Sequence, residues 1–203
     1  MSPRRLLLLL MAILIVGCVS AAGEPGAASR PIPAPPEFNA VEFVPSGDKL
    51  VRVVRGDVNG DGRDDAVVVT MPDDSDPEAR FARRTLSIVV ADPVGGFAVS
   101  SKNAVLAGCK VCGGSMGDGL ADVAIKDGSL VVVNEGGVRA RWSDRYTFRY
   151  DAGTRDWILV AYISRVSSQA DQKSMLIEST AKDFGVKRFA DLAQDDLPRA
   201  TIP

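Results

Sequence analysis

Leu50-Val51-Arg52-Val53-Val54-Arg55-Gly56-Asp57-Val58-Asn59-Gly60-Asp61-Gly62-Arg63-Asp64-Asp65-Ala66-Val67-Val68-Val69-Thr70 decides the fold. Its two ends are β-branched runs, too short and too valine-rich to prefer helix. The reading is strand, tight loop, strand. Within the loop, oxygen-bearing side chains fall at positions 1, 3, 5 and 9, and a glycine at position 6 permits the sharp turn. Hard divalent cations take oxygen ligands, so Asp57, Asn59, Asp61, the Arg63 carbonyl and Asp65 are candidate ligands of a calcium ion. An EF-hand is excluded, because position 12 is Val68 where a bidentate carboxylate is required and strands stand where helices should be. The same residues would also suit a β-turn that holds no ion, since Asp, Asn and Gly favour turns in any case. Four ligands at the right spacing, with the glycine, favour the metal.

Outward from this hairpin, valine-rich runs punctuated by turn signals continue to the end of the chain. They predict strands over 50–55, 65–70, 85–91, 96–100, 121–126, 129–134, 138–150, 157–165 and 173–178. Lys126-Asp127-Gly128-Ser129 predicts a hairpin, because Asp-Gly supplies the positive φ such turns need. A second hairpin pairs Tyr146–Tyr150 with Trp157–Tyr162 across residues 151–156. Alternation puts Tyr146, Phe148 and Tyr150 on one face of their strand and Trp157, Leu159 and Ala161 on one face of theirs. Core packing explains these aromatics better than a carbohydrate-stacking platform of Trp142, Tyr146 and Trp157. Residues 71–84 mix prolines and charges and read as an exposed loop. The tail from Ser179 reads as a short extended piece with a single helical turn. The expected fold is all-β, a single domain of antiparallel strands and hairpins.

The amino terminus has a different character. Arg4 and Arg5 precede an apolar run from Leu6 to Val16, the pattern of a secretory signal peptide and too short to span a bilayer as a helix. The run ends in Ile15-Val16-Gly17-Cys18, which resembles the lipobox of bacterial lipoproteins. That resemblance implies residues 1–17 as a signal peptide, Cys18 as an acylated mature terminus, and a lipid-anchored protein of the outer membrane facing the periplasm. The other reading, cleavage near Ala21-Ala22-Gly23, is also compatible with the small residues there. Residues 18–37, rich in Ala, Gly and Pro, form a tether that cannot pack a core. Residues 38–203 remain for one folded domain.

Composition narrows function by exclusion. The 203 residues include no histidine, which removes Ser-His-Asp and Cys-His nucleophile systems and histidine-ligated zinc or copper. Without the leader, 22 basic residues face 26 acidic ones, a formal charge of −4, and no basic-aromatic cluster points to nucleic acid. Cys109 and Cys112 form a Cys-x-x-Cys that can be redox-active, half of a zinc site, or a short disulfide. Further soft ligands for zinc are missing, and the glycines of Gly113-Gly114-Ser115-Met116-Gly117 do not open a redox helix. A disulfide pinning a glycine-rich loop is the favoured reading. No arrangement of residues announces catalysis, and a non-enzymatic protein is expected.

Several segments in order carry a wider resemblance: Gly-Asp-Val-Asn-Gly-Asp-Gly-Arg-Asp-Asp, then Cys-Lys-Val-Cys-Gly-Gly-Ser-Met-Gly-Asp, Val-Ala-Ile-Lys-Asp-Gly-Ser-Leu, Gly136-Gly137 to Arg141-Trp142, and Tyr-Thr-Phe-Arg-Tyr before Trp157. Over most of residues 45–192 this is similar to bacterial lipoproteins with VCBS- or FG-GAP-like calcium loops. Some members are immunity proteins of β-propeller-like fold that block a peptidoglycan-hydrolase toxin. The resemblance implies calcium at Asp57, Asn59, Asp61 and Asp65, a propeller-like domain, and a protein partner. An envelope glycan- or protein-binding module without inhibitory activity is the alternative it leaves.

Overall fold

The computed structural model describes residues 37–73, 75, 77–168, 170 and 172–202. Cys18, the leader and nearly all of the tether lie outside the described residues. Nine strands follow one another: β1 (Asp48–Gly56), β2 (Asp65–Pro72), β3 (Arg84–Ala91), β4 (Phe97–Ala107), β5 (Leu120–Lys126), β6 (Ser129–Gly137), β7 (Arg141–Asp151), β8 (Asp156–Ser168) and β9 (Lys173–Thr180). They form two antiparallel meanders, β1-β2-β3-β4 and β5-β6-β7-β8-β9. The domain is all-β, and each predicted strand has its counterpart. Among the described residues the sheets do not close into a propeller ring.

One core serves both sheets. Val67, Val69, Leu86 and Ile88 from the four-stranded sheet join Leu130, Val132, Tyr146, Phe148, Trp157 and Leu159 from the five-stranded one. Fully burying each of the larger apolar side chains contributes about 1.5–3 kcal/mol relative to leaving it in water. The uninterrupted valines of β2 have a specific cause. Val67 and Val69 face this core, while Ala66 and Val68 face a second cluster with Phe38, Phe43, Val53 and Phe97 on the opposite side of the sheet. A strand covered on both faces has no use for polar alternation. Phe38 stacks on Phe43 at 5.6 Å, and the Arg55 guanidinium lies 4.5 Å over its ring.

Two expectations fail for local reasons. Strict alternation puts Ala161 with Trp157 and Leu159, yet Tyr162 is the buried residue. The pairing steps from Thr147↔Ala161 to Phe148↔Leu159, so Val160 is an extra residue and a bulge reverses the alternation. Strand β7 starts at Arg141 and not at 138, because β6 runs through Gly137 and a turn follows it. A Cβ on Gly137 would stand 2.1 Å from the Ala140 carbonyl oxygen, so this turn requires glycine.

Polar ties join the sheets. Arg84, read as part of an exposed loop, is buried at the start of β3. Its guanidinium donates to both Asp118 carboxylate oxygens, at 2.7 and 2.6 Å, and to the Gly108 carbonyl at 2.6 Å. The rest of the 71–84 segment contains a 3-10 turn at Pro77–Phe81. Asn134, fully buried in β6, accepts from Gly108 N and donates to the Leu106 carbonyl. In β4, Asn103 donates to the Phe189 and Leu192 carbonyls at 2.5 and 2.8 Å, fixing the tail across the core. That tail pairs with β8 through Leu159 N to Lys187 O and Phe189 N to Trp157 O. The expected helical turn is α1 (Ala181–Phe184), opened by a capping box in which Thr180 and Asp183 satisfy each other's amides.

Candidate functional site

The loop between β1 and β2 is built around the carboxylate of Asp57. Its Oδ1 accepts from Gly60 N at 2.7 Å and Asp61 N at 3.1 Å, and its Oδ2 from Gly62 N at 2.8 Å. Gly60 and Gly62 have φ of +80° and +83° with open space around them, so backbone conformation and not crowding demands glycine there. Desolvation pushes the Asp57 carboxyl upward, but the amides of Gly62, Gly60, Asp61 and Asn59 together prevail and hold it below the usual carboxylate range. Asn59 accepts from Asp61 N at 3.0 Å and donates to the Asp61 carboxylate, while the Arg63 guanidinium pairs with that same carboxylate.

Asp65 begins β2 and is fully buried. Its Oδ2 accepts from Val58 N at 3.1 Å, and its Oδ1 from Ala91 N at 2.9 Å at the end of β3. This one side chain therefore ties the loop to a third strand. Burial pushes its carboxyl upward, with Asp61 and Asp57 adding like-charge repulsion; the Ala91 and Val58 amides oppose this and are outweighed. Arg55 supports the same corner, donating to the Asp65 carbonyl at 3.0 Å.

The five residues singled out as ligands thus share one loop. Among the described residues, no group of three or more His, Cys, Asp or Glu side chains is gathered as a metal cage. The carboxylates turn instead to backbone amides and to Arg63. Asp57 Oδ1 and Asp61 Oδ2 each already accept two hydrogens, whereas Asp57 Oδ2, Asp61 Oδ1 and both Asp65 oxygens accept one and keep a lone pair for a hard cation.

Cys109 and Cys112 are joined, with Cα atoms 5.0 Å apart. Cys109 O accepts from Cys112 N and Gly119 N, so the glycine-rich segment folds back on itself. The packing is backbone on backbone: a Cβ on Gly108 would lie 2.5 Å from Gly119 C, and one on Gly113 2.5 Å from the Asp118 carbonyl oxygen.

A second polar centre escaped the sequence reading. Asp144, buried on the core side of β7, accepts from Ser164 Oγ at 2.6 Å and Tyr162 OH at 3.2 Å and forms an ion pair with Arg199, Nη2 to Oδ2 2.7 Å. Burial first, then Asp144, pushes the Tyr162 hydroxyl up to about 12. The Arg199 guanidinium lies 4.4 Å over Trp142, beside a cleft of about 360 Å³ walled also by Val166 and Ala200. Alternation along β7 puts Asp144 on the face of Tyr146 and Phe148, and that is the signal by which its need for a partner could have been found. That Arg199 supplies it is invisible before the tail is folded. Tyr146 and Trp157 lie in the core, away from any platform with Trp142. Comparison of the chain with protein-family models, curated proteins and solved structures finds no match.

Proposed function

We propose that this chain is a lipid-anchored envelope protein, tethered through Cys18 to the outer membrane and facing the periplasm, that binds and inhibits a peptidoglycan hydrolase without catalysing a reaction itself. The observation that carries the reading is the Asp57–Asp65 loop, where three carboxylates crowd a strand junction and the buried one is tied to β3. A calcium ion held by Asp57, Asn59, Asp61, the Arg63 carbonyl and Asp65 would neutralise that crowding and staple three strands. Its role is structural: it keeps a β domain in shape for a partner. The propeller-like part of the reading rests on the meander order of β1-β2-β3-β4, the strand order of a blade.

The test is inhibition of a panel of peptidoglycan hydrolases, including the product of the neighbouring gene, by the purified chain. Stoichiometric loss of lysis supports the reading, and full activity of every enzyme at excess chain refutes it. A glycan-binding module without inhibitory activity is the second reading, favoured by the Trp142–Arg199 cleft. A glycan array probed with the chain and with Trp142→Ala separates the two.

A further inference from the structure

On the outward face of the five-stranded sheet the arginines of β7 and β8 outnumber the adjoining acids, Glu135 opposite Ser143 on β6 and Glu178 opposite Ile163 on β9. On β7 the outward column is Arg141, Ser143, Arg145, Thr147, Arg149, with Asp144, Tyr146 and Phe148 pointing into the core. Arg165 on β8 stands opposite Ser143 and places a fourth guanidinium on the same face. All four arginines are exposed. Elsewhere Arg52, Arg63, Arg84, Arg188 and Arg199 each have an aspartate partner. Among the described residues the side chains of these four make neither ion pair nor hydrogen bond, which is otherwise true of isolated turn arginines such as Arg139 and Arg155, although the chain as a whole is acidic.

We infer that this face is the docking surface for an extended acidic segment of a protein partner, bound by Arg141, Arg145, Arg149 and Arg165. Successive arginines of the column stand about 13–14 Å apart along the strand. An extended acidic chain sets same-face side chains about 7 Å apart, so alternate carboxylates meet guanidiniums and the one between Arg145 and Arg149 meets the Thr147 hydroxyl, while Glu135 opposite Ser143 favours a neutral residue between Arg141 and Arg145. Beside the column lie apolar neighbours: Ile163 opposite Arg145, and Leu176, 48% exposed, opposite Arg165. Arginines around exposed aliphatic side chains have the composition of a protein interface. No outward position of β7 or β8 carries an aromatic ring, so the face lacks the stacking platform that single-stranded nucleic acid uses. This surface is independent of the calcium loop and of any hydrolase.

Binding of a fluorescent decaglutamate peptide to the full chain, read by anisotropy at low salt, tests the inference. Expected are saturable binding that weakens with salt and a loss of about tenfold or more in Arg141→Ser/Arg145→Ser, two exposed changes that leave the core intact. Arg155→Asn/Lys182→Ser removes the same charge elsewhere and should bind as the parent does. The inference is overturned by absence of peptide binding, by equal weakening in both double variants, or by tighter binding of oligodeoxythymidine or anionic vesicles than of the peptide.

Discussion

Replacing Asp118 by Asn should destabilise the domain more than replacing its partner Arg84 by Met, although both break the same ion pair. The side chain of Arg84 is 2% exposed and that of Asp118 is 52% exposed, which makes the two halves unequal. Asparagine keeps the shape and can still accept from Leu120 N, now at 2.8 Å from the carboxylate. It removes the charge, leaving a buried guanidinium with the Gly108 carbonyl as its remaining strong partner and an Nε that already has none. Removing one member of a buried pair costs about 3–5 kcal/mol, and water reaching the open side of this pair reduces that to about 2–3. Methionine in place of Arg84 fills much of the volume without charge. Asp118 then rehydrates at little cost, and the loss is chiefly the bond to Gly108 O, about 1–2 kcal/mol. At ~2–4 °C per kcal/mol for a domain of this size, Asp118→Asn should lower Tm by roughly 4–12 °C. Urea and thermal melts of both single variants and the double variant measure this. The double variant should resemble Arg84→Met, because no buried cation is left to strand. If Arg84→Met proves as costly as Asp118→Asn or more so, desolvation of Arg84 does not govern the pair and the reasoning fails.

Millimolar calcium should raise Tm relative to chelator, and Asp61→Ala should abolish the rise while leaving the apo melt nearly unchanged; identical curves with and without calcium would reduce the loop to a turn. Asn103→Ala strands the Phe189 and Leu192 carbonyls and should cost about 2–4 kcal/mol, with amide exchange accelerating first across residues 187–197. Tyr146 and Tyr162 are both held protonated by burial, Tyr162 up to about 12 from an ordinary 10.0. The stability this gives is complete below pH 10 and falls as pH rises toward 12, by about 1.4 kcal/mol per pH unit for each tyrosine that ionises only on unfolding. Tyr146→Phe deletes a buried hydroxyl that has no partner, so it should leave neutral stability unchanged or raised and make alkaline unfolding less steep.

Strand positions were legible because valine runs and Asp-Gly turns are local signals, and both are read over a few residues. The hairpin at Lys126–Ser129 needed only the positive φ of Asp127 and Gly128, which the sequence announces. The bulge at Val160 was not legible: nothing in Leu159-Val160-Ala161-Tyr162 marks the residue that drops out of register, and the choice follows from burying Tyr162 beside Tyr146, their rings 5.1 Å apart. Arg84 and Arg199 were hidden for a related reason. Each is an arginine in a polar stretch, and its role depends on an aspartate 34 or 55 positions away. The calcium loop lies between these cases. Its ligands are contiguous and so readable, but what gives Asp65 leverage is the Ala91 amide on another strand. A nine-residue motif therefore identifies the donor atoms and understates the consequence: filling the loop should stiffen β3 as well as the β1–β2 turn. Slowed exchange of the Ala91 amide on adding calcium would show that reach, and unchanged exchange there beside slowing at Gly60 and Gly62 would confine the ion to its own hairpin.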